Sequence, residues 1–455
     1  MKWALSAKRL IPILILGTVL RLLWVYFVNT QPIFDFKHYH DLAMSLLHNG
    51  SYTMPEGLDY IKQNTDYIQQ GVQYPTAFRP PGYPFLLVAI YAIWPSILAA
   101  KLANVFFGMV WIVCAYLLGR KYFNERVGLW AAFLTAIFPP AIGYTSILGT
   151  EVFSVALLLF ILCLQVYRIG GRTTGPFIQG ALIGFLALVK PYFAAFPILH
   201  LILMWWLSKE YVTPQNKRRQ IKEVVLPVVY ATIAMAIVIS PWTVRNYIAF
   251  DRFVPISTNG DFVLYINNND LNQGLYMDAM KVPDSIFKTD RILDENGNYN
   301  EPDAMKAAKS EAVKWILSHP KKFFFLGIDR LAASYLNAGD EVGYWSMPEG
   351  NEARFNKEWV KPLIQGSSAF SLIVVGGGLV YALIILYQFI RFRPMNVMHK
   401  LNLMFIAFLT VVIFFSEGQP RYMFPLYPFF ILGIAWMGDL AVKALRFEGV
   451  TGQER

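Results

Sequence analysis

Long apolar runs separated by short polar segments are the dominant pattern of the chain. A helix that crosses a membrane needs roughly 20 predominantly apolar residues. Ten runs approach or meet this length, and we predict transmembrane helices at 10–28, 96–119, 127–144, 150–168, 175–189, 192–208, 224–242, 367–390, 401–416 and 422–442. The stretch 84–95 is apolar but too short to cross, so we expect it to lie in the interface or to re-enter. The pattern therefore predicts an all-α polytopic membrane protein with about ten transmembrane helices.

Basic residues between the apolar runs orient the predicted bundle. With the N terminus on the cytoplasmic side, the cytoplasmic segments contain 19 lysines and arginines. The short opposite loops, 145–150 and 417–421, contain Arg421 alone. Because cytoplasmic loops carry an excess of basic residues, we predict a multi-pass protein of the cell membrane with both termini in the cytoplasm.

Two polar segments remain on the outer side of this topology. The first, 29–83, follows the first helix. The second, 243–366, is long enough for a small domain, which we expect to be α+β or mostly helical. We therefore divide the chain into an N-terminal transmembrane module, 1–242, which includes the outer loop, an extracytoplasmic segment, 243–366, and C-terminal transmembrane helices, 367–455.

The composition excludes a soluble enzyme and a disordered chain, because 56% of the residues are apolar and only 15% are charged. The net charge of +10 would also suit a nucleic-acid partner. However, the segment 243–366 contains 14 basic against 17 acidic residues, so the excess lies chiefly in the cytoplasmic loops. We therefore predict the lipid bilayer as a partner and no nucleic acid.

Ionisable residues at membrane depth are costly and mark functional sites. Six fall at the predicted outer ends of the helices: Asp35, Arg79, Glu151, Lys190, Glu417 and Arg421. Each one alone could be a snorkelling side chain or half of a structural ion pair. Together they suit catalysis on an anionic substrate, in which cations hold a phosphate-type leaving group while a carboxylate activates a nucleophile.

The motifs around these residues resemble those of a known superfamily. They are Asp35 with Tyr39-x-x-Leu-Ala43, Arg79-Pro-Pro-Gly-Tyr83-Pro, Thr150-Glu151, Lys190-Pro191, Pro241-Trp-Thr-Val-Arg-Asn-Tyr247 and Pro420-Arg421-Tyr422. The series resembles the GT-C glycosyltransferases of the family 39 type, and most of all the bacterial protein-mannosyltransferase-like and lipid A aminoarabinose-transferase-like families.

The resemblance implies an inverting transfer of a sugar from a polyprenyl-phosphate-linked donor to an acceptor on the extracytoplasmic face. The acceptor is left open as a lipid, a glycan or a protein. The resemblance implies that Asp35 is the general base and Glu151 a second catalytic acid. It assigns three residues to the donor phosphate: Arg79, Lys190 and Arg421. We expect four more residues to contact the substrate: Tyr39, Tyr83, Glu417 and Tyr422.

Three alternatives remain open at this point. No cofactor is required, but a divalent metal could be bound by Asp35, His38, His40 and Asp41. A transporter or flippase of an anionic lipid or lipid-linked saccharide would use the same cations along a pathway. Transporters usually place such groups at the bilayer midplane and often contain inverted repeats, so their position at helix ends favours an enzyme. A structural scaffold would make Asp35 dispensable.

Overall fold

The computed structural model describes residues 2–28, 30–54, 74–211, 217–293, 299–337 and 360–451. The helices of these residues are α1 (Lys2–Phe27), α2 (Phe34–Asn49), α3 (Gly82–Ile93), α4 (Ile97–Tyr122), α5 (Glu125–Ile137), α6 (Pro139–Gly143), α7 (Thr150–Val166), α8 (Thr174–Val189), α9 (Phe196–Tyr211), α10 (Lys217–Phe250), α11 (Asn259–Asn267), α12 (Glu301–Ser318), α13 (Pro320–Leu336), α14 (Val360–Ile390), α15 (Val397–Phe415) and α16 (Tyr427–Thr451). Two short strands, β1 (Thr53–Met54) and β2 (Tyr74–Pro75), pair in the antiparallel direction, with Thr53 opposite Pro75. The predicted all-α fold class is confirmed.

The ten predicted membrane segments are all helical, but they differ in length. In the part of the chain that the structure describes, seven helical segments are long and apolar enough to cross a membrane: α1, α4, α9 together with the helical turn Pro191–Ala195 before it, α10, α14, α15 and α16. Helices α5 and α6 make an eighth span if they are counted as one, although they are bent by 57° at Phe138–Pro139, where proline cannot continue the hydrogen-bond pattern. Helices α7 and α8, with 17 and 16 residues, are shorter than a hydrocarbon core of about 30 Å requires.

The short helix α7 is enclosed by protein. It packs against α4 and α8, and every one of its residues except Phe160 is buried. A helix that is apolar on all sides is expected in such a position. Its length therefore need not match the thickness of the bilayer. Its enclosure brings Glu151, in its first turn, inside the bundle.

The predicted extracytoplasmic segment is mostly helical where it is described. Helix α10 runs on to Phe250, so the predicted boundary after residue 242 lies inside a continuous helix. Pro320 begins α13 and so separates it from α12. Parts of both outer segments, 55–73 and 338–359, lie outside the described residues.

Helix α13 is amphipathic, and Arg330 lies on its buried face. Phe324 and Phe325 are exposed, whereas the guanidinium of Arg330 is fully buried. Arg330 donates to the Phe414 carbonyl oxygen at 3.0 Å and to Asn268 Oδ1 at 2.9 Å. This arginine therefore joins α13 to α15 and to the residue that follows α11.

A glycine brings two of the functional segments together. A Cβ atom added at Gly82, the first residue of α3, would lie 2.7 Å from the carbonyl carbon of Leu188 and 2.8 Å from the backbone nitrogen of Val189. These distances are far shorter than a van der Waals contact, so only glycine fits. Helix α3 can therefore begin directly against the end of α8, which brings the loop before α3 and the end of α8 together.

Candidate active site

The carboxylate of Asp35 is bound by two arginines from distant parts of the chain. Asp35 lies in the first turn of α2 and accepts hydrogen bonds from Arg79 and from Arg421 Nη1, the latter at 2.8 Å. Arg79 precedes α3, and Arg421 belongs to the short turn Pro420–Met423 that precedes α16. Burial would raise the pKa of Asp35, but the charges of the two arginines hold it well below its usual range.

A second ion pair lies beside the first. Glu151 starts α7 and Lys190 follows the end of α8, and the Lys190 Nζ atom lies 3.1 Å from Glu151 Oε1. The Glu151 side chain is 3% exposed and that of Lys190 is 17% exposed, so the pair is largely shielded from water. The charge of Glu151 acts on Arg421, so the two ion pairs lie near enough to interact electrostatically.

Three tyrosines lie between and around these pairs. Tyr39, one helical turn after Asp35, packs edge-to-face on Tyr83 with ring centroids 5.4 Å apart. Burial raises the pKa of the Tyr39 hydroxyl and also that of Tyr422, so both phenols stay protonated near neutral pH. The negative charges of Asp35 and Glu151 both act on the Tyr39 hydroxyl. Tyr39 therefore lies near both ion pairs.

Glu417 differs from the other carboxylates of the site. It is 2% exposed, accepts a hydrogen bond from Gln419 and lies beside Asn267. Burial is the largest cause that raises its pKa to about 7, and the charge of Asp35 adds to it, while Arg421 opposes it. Glu417 therefore exchanges a proton in the physiological range. The structure thus brings together all nine residues that the sequence singled out: Asp35, Tyr39, Arg79, Tyr83, Glu151, Lys190, Glu417, Arg421 and Tyr422.

A buried glutamate that sequence reasoning missed holds the loop that carries Arg79. Glu301, in the first turn of α12, accepts from Thr76 Oγ1 at 2.6 Å, from the Ala77 backbone N–H at 2.9 Å and from Thr258 Oγ1 at 2.9 Å. Thr76 and Glu301 are 225 positions apart. No local motif links them, so the sequence offered no signal for this contact.

Arg245 and Tyr52 fix the same loop from the other side. Arg245 Nη1 donates to the Thr76 carbonyl oxygen and Nη2 to that of Tyr52, each at 2.8 Å. The Tyr52 hydroxyl donates to the Arg79 carbonyl oxygen at 2.8 Å. The backbone on both sides of Arg79 is therefore anchored, which fixes the direction in which its guanidinium extends toward Asp35.

Two more tyrosines belong to the site although the sequence gave no reason to choose them. Tyr192, which follows Lys190-Pro191, feels the charge of Glu151. Tyr276, from the outer segment, is half-exposed and feels the charges of Glu417 and Asp35. The loop that carries it is attached to the site by a hydrogen bond of 2.9 Å from the Gly418 N–H to the Gly274 carbonyl oxygen. Tyr276 therefore lies at the open side of the site.

The fold and part of the sequence match known proteins. The profile of a family described as dolichyl-phosphate-mannose-protein mannosyltransferase matches residues 78–244. AglB, the oligosaccharyltransferase of Archaeoglobus fulgidus, was solved with an inhibitory peptide and a dolichol-phosphate. It aligns with 100% of this chain at a TM-score of 0.57 and 14% sequence identity. The chain has a GT-C fold. This is the fold of the superfamily that its motifs resemble.

Further comparisons define the extent of this likeness. The GT-C chain spans about half the length of AglB, since the alignment covers 52% of that protein. ArnT from Cupriavidus metallidurans, bound to undecaprenyl phosphate, aligns with 94% of this chain and 76% of its own, at a TM-score of 0.43 and 12% identity. Among curated protein sequences, none matches this one significantly.

The residues around Asp35 do not fit a divalent metal ion, although the A. fulgidus oligosaccharyltransferase was also solved with zinc and sulfate. Both oxygens of Asp35 accept from arginines. His38 Nδ1 accepts from Arg79 Nε at 3.2 Å, and Asp41 is paired with Lys37 at 2.6 Å. In the described ranges no three His, Cys, Asp or Glu side chains are grouped as metal ligands. The four ligands considered from the sequence do not converge.

We predict that Glu417 makes the stability of this GT-C protein depend on pH. Its pKa is raised in the folded state, so the folded protein binds more protons than the unfolded one between about pH 4.5 and 7. Stability from this group is complete below that range and is lost as the pH rises through 7, by up to roughly 3 kcal/mol. The apparent melting temperature in detergent should fall between pH 5 and 8, and Glu417→Gln should flatten this profile.

The matched control is Glu311→Gln on α12. Hydrogen bonds and ion pairs with Lys314 and Arg291 lower the pKa of Glu311, the opposite direction to Glu417, so Glu311→Gln should leave the slope of the profile unchanged. An unchanged slope in Glu417→Gln would contradict the assignment.

We also predict that Glu301→Ala destabilises the protein. The substitution leaves three donors without their acceptor, and each buried unsatisfied donor costs roughly 1–3 kcal/mol. The apparent melting temperature should fall by several degrees. Asp303→Ala, two residues later on the same helix, breaks only a surface pair with Arg252 and should have a small effect. Equal effects of the two substitutions would show that the Glu301 contacts do not hold the Arg79 loop.

Proposed function

We propose that the protein transfers a sugar from a polyprenyl-phosphate-linked donor to an acceptor on the extracytoplasmic face of the cell membrane, with inversion at the anomeric carbon. The observation that carries this proposal is the position of Asp35 between Arg79 and Arg421 at one end of a GT-C bundle. The family match over 78–244 and the excess of basic residues in the opposite loops support it. Both termini are then cytoplasmic.

The donor phosphate binds at Arg79 and Arg421 in this proposal. Guanidinium groups form paired hydrogen bonds with phosphate oxygens, and both side chains are more than four-fifths buried, where electrostatic attraction is stronger than in bulk water. A sugar ester of a lipid phosphate carries one negative charge, and the departing lipid phosphate gains a second. The arginines therefore stabilise the transition state more than the bound donor.

Asp35 is the general base, and the donor controls its basicity. While both arginines bind its carboxylate, its pKa lies well below the usual range and the carboxylate is a poor base. A phosphate that draws the guanidinium groups away removes this stabilisation and raises the pKa. Asp35 then accepts the proton of the acceptor hydroxyl while the hydroxyl oxygen attacks the anomeric carbon. The bond from that carbon to the phosphate oxygen breaks, and the lipid phosphate leaves with the electron pair.

The second ion pair and the tyrosines bind and orient the substrates. Glu151 orients the acceptor. Lys190, whose charge is balanced by the ion pair with Glu151 at 3.1 Å, is a secondary contact for the donor phosphate. The protonated phenols of Tyr39 and Tyr422 donate hydrogen bonds to sugar oxygens. Tyr83 supports Tyr39 through the ring contact, and Glu417, half-protonated near pH 7, can donate or accept.

Replacing Asp35 by Asn should abolish sugar transfer without unfolding the protein. Loss of a general base lowers rates by about 10²–10⁴-fold, and asparagine keeps the shape of the side chain. The assay uses membranes with a panel of polyprenyl-phosphate sugars and measures release of the lipid phosphate. Asp41→Asn is the matched control, because Asp41 lies on the same helix and forms a surface ion pair with the exposed Lys37. Full activity of Asp35→Asn would refute the role of Asp35 as the base, whereas no transfer by the wild type with any donor of the panel would favour a transporter or a scaffold.

Replacing Arg421 by Ala should weaken use of the donor more than use of the acceptor. The KM for the donor should rise about tenfold or more, because a charge-assisted hydrogen bond to phosphate is lost. The acidic limb of the pH–rate profile should move to higher pH, since one of the two charges that lower the pKa of Asp35 is gone. Arg252→Ala, which removes a surface pair, should change neither quantity. A change in acceptor KM alone would contradict the phosphate role.

A further inference from the structure

A buried lysine outside the candidate active site has no acidic partner among the described residues. Lys101 lies one turn into α4 and is 3% exposed. Its ammonium group donates to the Thr30 carbonyl oxygen at 2.7 Å, and no carboxylate within the described ranges forms an ion pair with it. A lysine ammonium has three donors, so one acceptor leaves two of them to be satisfied.

A second buried cation, Arg21, has more hydrogen-bond acceptors than Lys101. Arg21, on α1, is also fully buried. It donates to the backbone carbonyl oxygens of Gly17, Thr135 and Ala136 at 3.0–3.2 Å. Both Nη atoms of Arg21 therefore have acceptors, and only its Nε atom is without one. Lys101 has a single such contact and lies at the edge of a groove.

The groove runs between α1 and α4 and has a volume of about 340 Å³. Its walls are apolar, with Leu22 and Val25 from α1 and Leu98 and Leu102 from α4, while Lys101 and Gln31 supply polar groups. Leu22 and Leu98 are 42% and 44% exposed, so the groove opens sideways from the bundle, where the acyl chains of a membrane lie. It is therefore a surface for a molecule with an apolar body.

Lys101 also lies at the depth of lipid head groups. Asn104, on the next turn of the same helix, donates to the Ile147 carbonyl oxygen at 2.7 Å, and Ile147 precedes Glu151 by four residues. Lys101 is therefore at the same end of the bundle as the candidate active site, about one turn after the first residue of α4. A cation at this depth without a partner is costly, and an anionic head group would remove that cost.

We propose that this groove binds one anionic phospholipid of the surrounding membrane. The lipid phosphate accepts hydrogen bonds from Lys101 and from the Gln31 amide, and an acyl chain lies along Leu22, Val25 and Leu102. The site is separate from Arg79 and Arg421 and does not depend on the proposed transfer reaction. Because Lys101 binds the carbonyl oxygen of Thr30, five residues before Asp35, the lipid also steadies the segment that leads into α2.

Native mass spectrometry of the purified full chain tests this proposal, with phosphatidylglycerol, phosphatidylcholine and a polyprenyl phosphate added in separate experiments. The wild-type protein should retain one phosphatidylglycerol in preference to phosphatidylcholine. Lys101→Met, which keeps the length of the side chain, should weaken retention of phosphatidylglycerol at least about fivefold and leave phosphatidylcholine unchanged. Lys121→Met, at the opposite end of the same helix, is the matched control and should retain the wild-type preference.

Three results would overturn the proposal. The first is equal retention of phosphatidylglycerol by the wild type and Lys101→Met, and the second is equal loss of both phospholipids in that variant. The third is loss of polyprenyl-phosphate binding alone in Lys101→Met, which would assign the groove to the donor. If Lys101→Met fails to fold, Lys101→Arg decides, because it keeps the charge and must keep the preference for phosphatidylglycerol. Sugar transfer is measured in parallel, so failure of the lipid site and failure of the proposed reaction give different results.

Discussion

The charge balance at Asp35 is the interaction on which the rest of the site depends. Burial of a carboxylate disfavours its charged form, and two arginines, from the loop before α3 and the turn before α16, more than compensate. Three segments that are remote in sequence are thereby fixed at one point. The same arrangement leaves Asp35 a weak base until an anion competes for Arg79 and Arg421, so the contact that holds the free site also controls its proposed chemistry.

The surrounding architecture keeps this balance in place. Helix α7 is enclosed by protein and brings Glu151 to the site from within the bundle. The segment that follows α10 helps to build the site. Glu301 anchors the loop that carries Arg79, and Arg330 joins α13 to α15 beside Glu417. The candidate site is therefore built jointly by the membrane helices and the outer segment.

Sequence patterns predicted the helices, because apolar runs are a local property. Charged helix ends and the motifs also singled out the nine residues that the structure brings together, whose roles remain proposals. They did not predict which charges pair. Lys190 binds Glu151 rather than Asp35, a choice set by how α8 ends against α3. Glu301 was missed because its partners lie 225 positions away. Length alone does not decide whether α7 is a membrane span, since this helix is surrounded by protein and need not match the thickness of the bilayer.

The most direct test of the central claim is a structure of the full chain in a lipid nanodisc with a bound polyprenyl phosphate. The account predicts phosphate oxygens about 3 Å from the guanidinium groups of Arg79 and Arg421, with Asp35 released from at least one of them. A phosphate bound elsewhere, with both arginines still on Asp35, would contradict it.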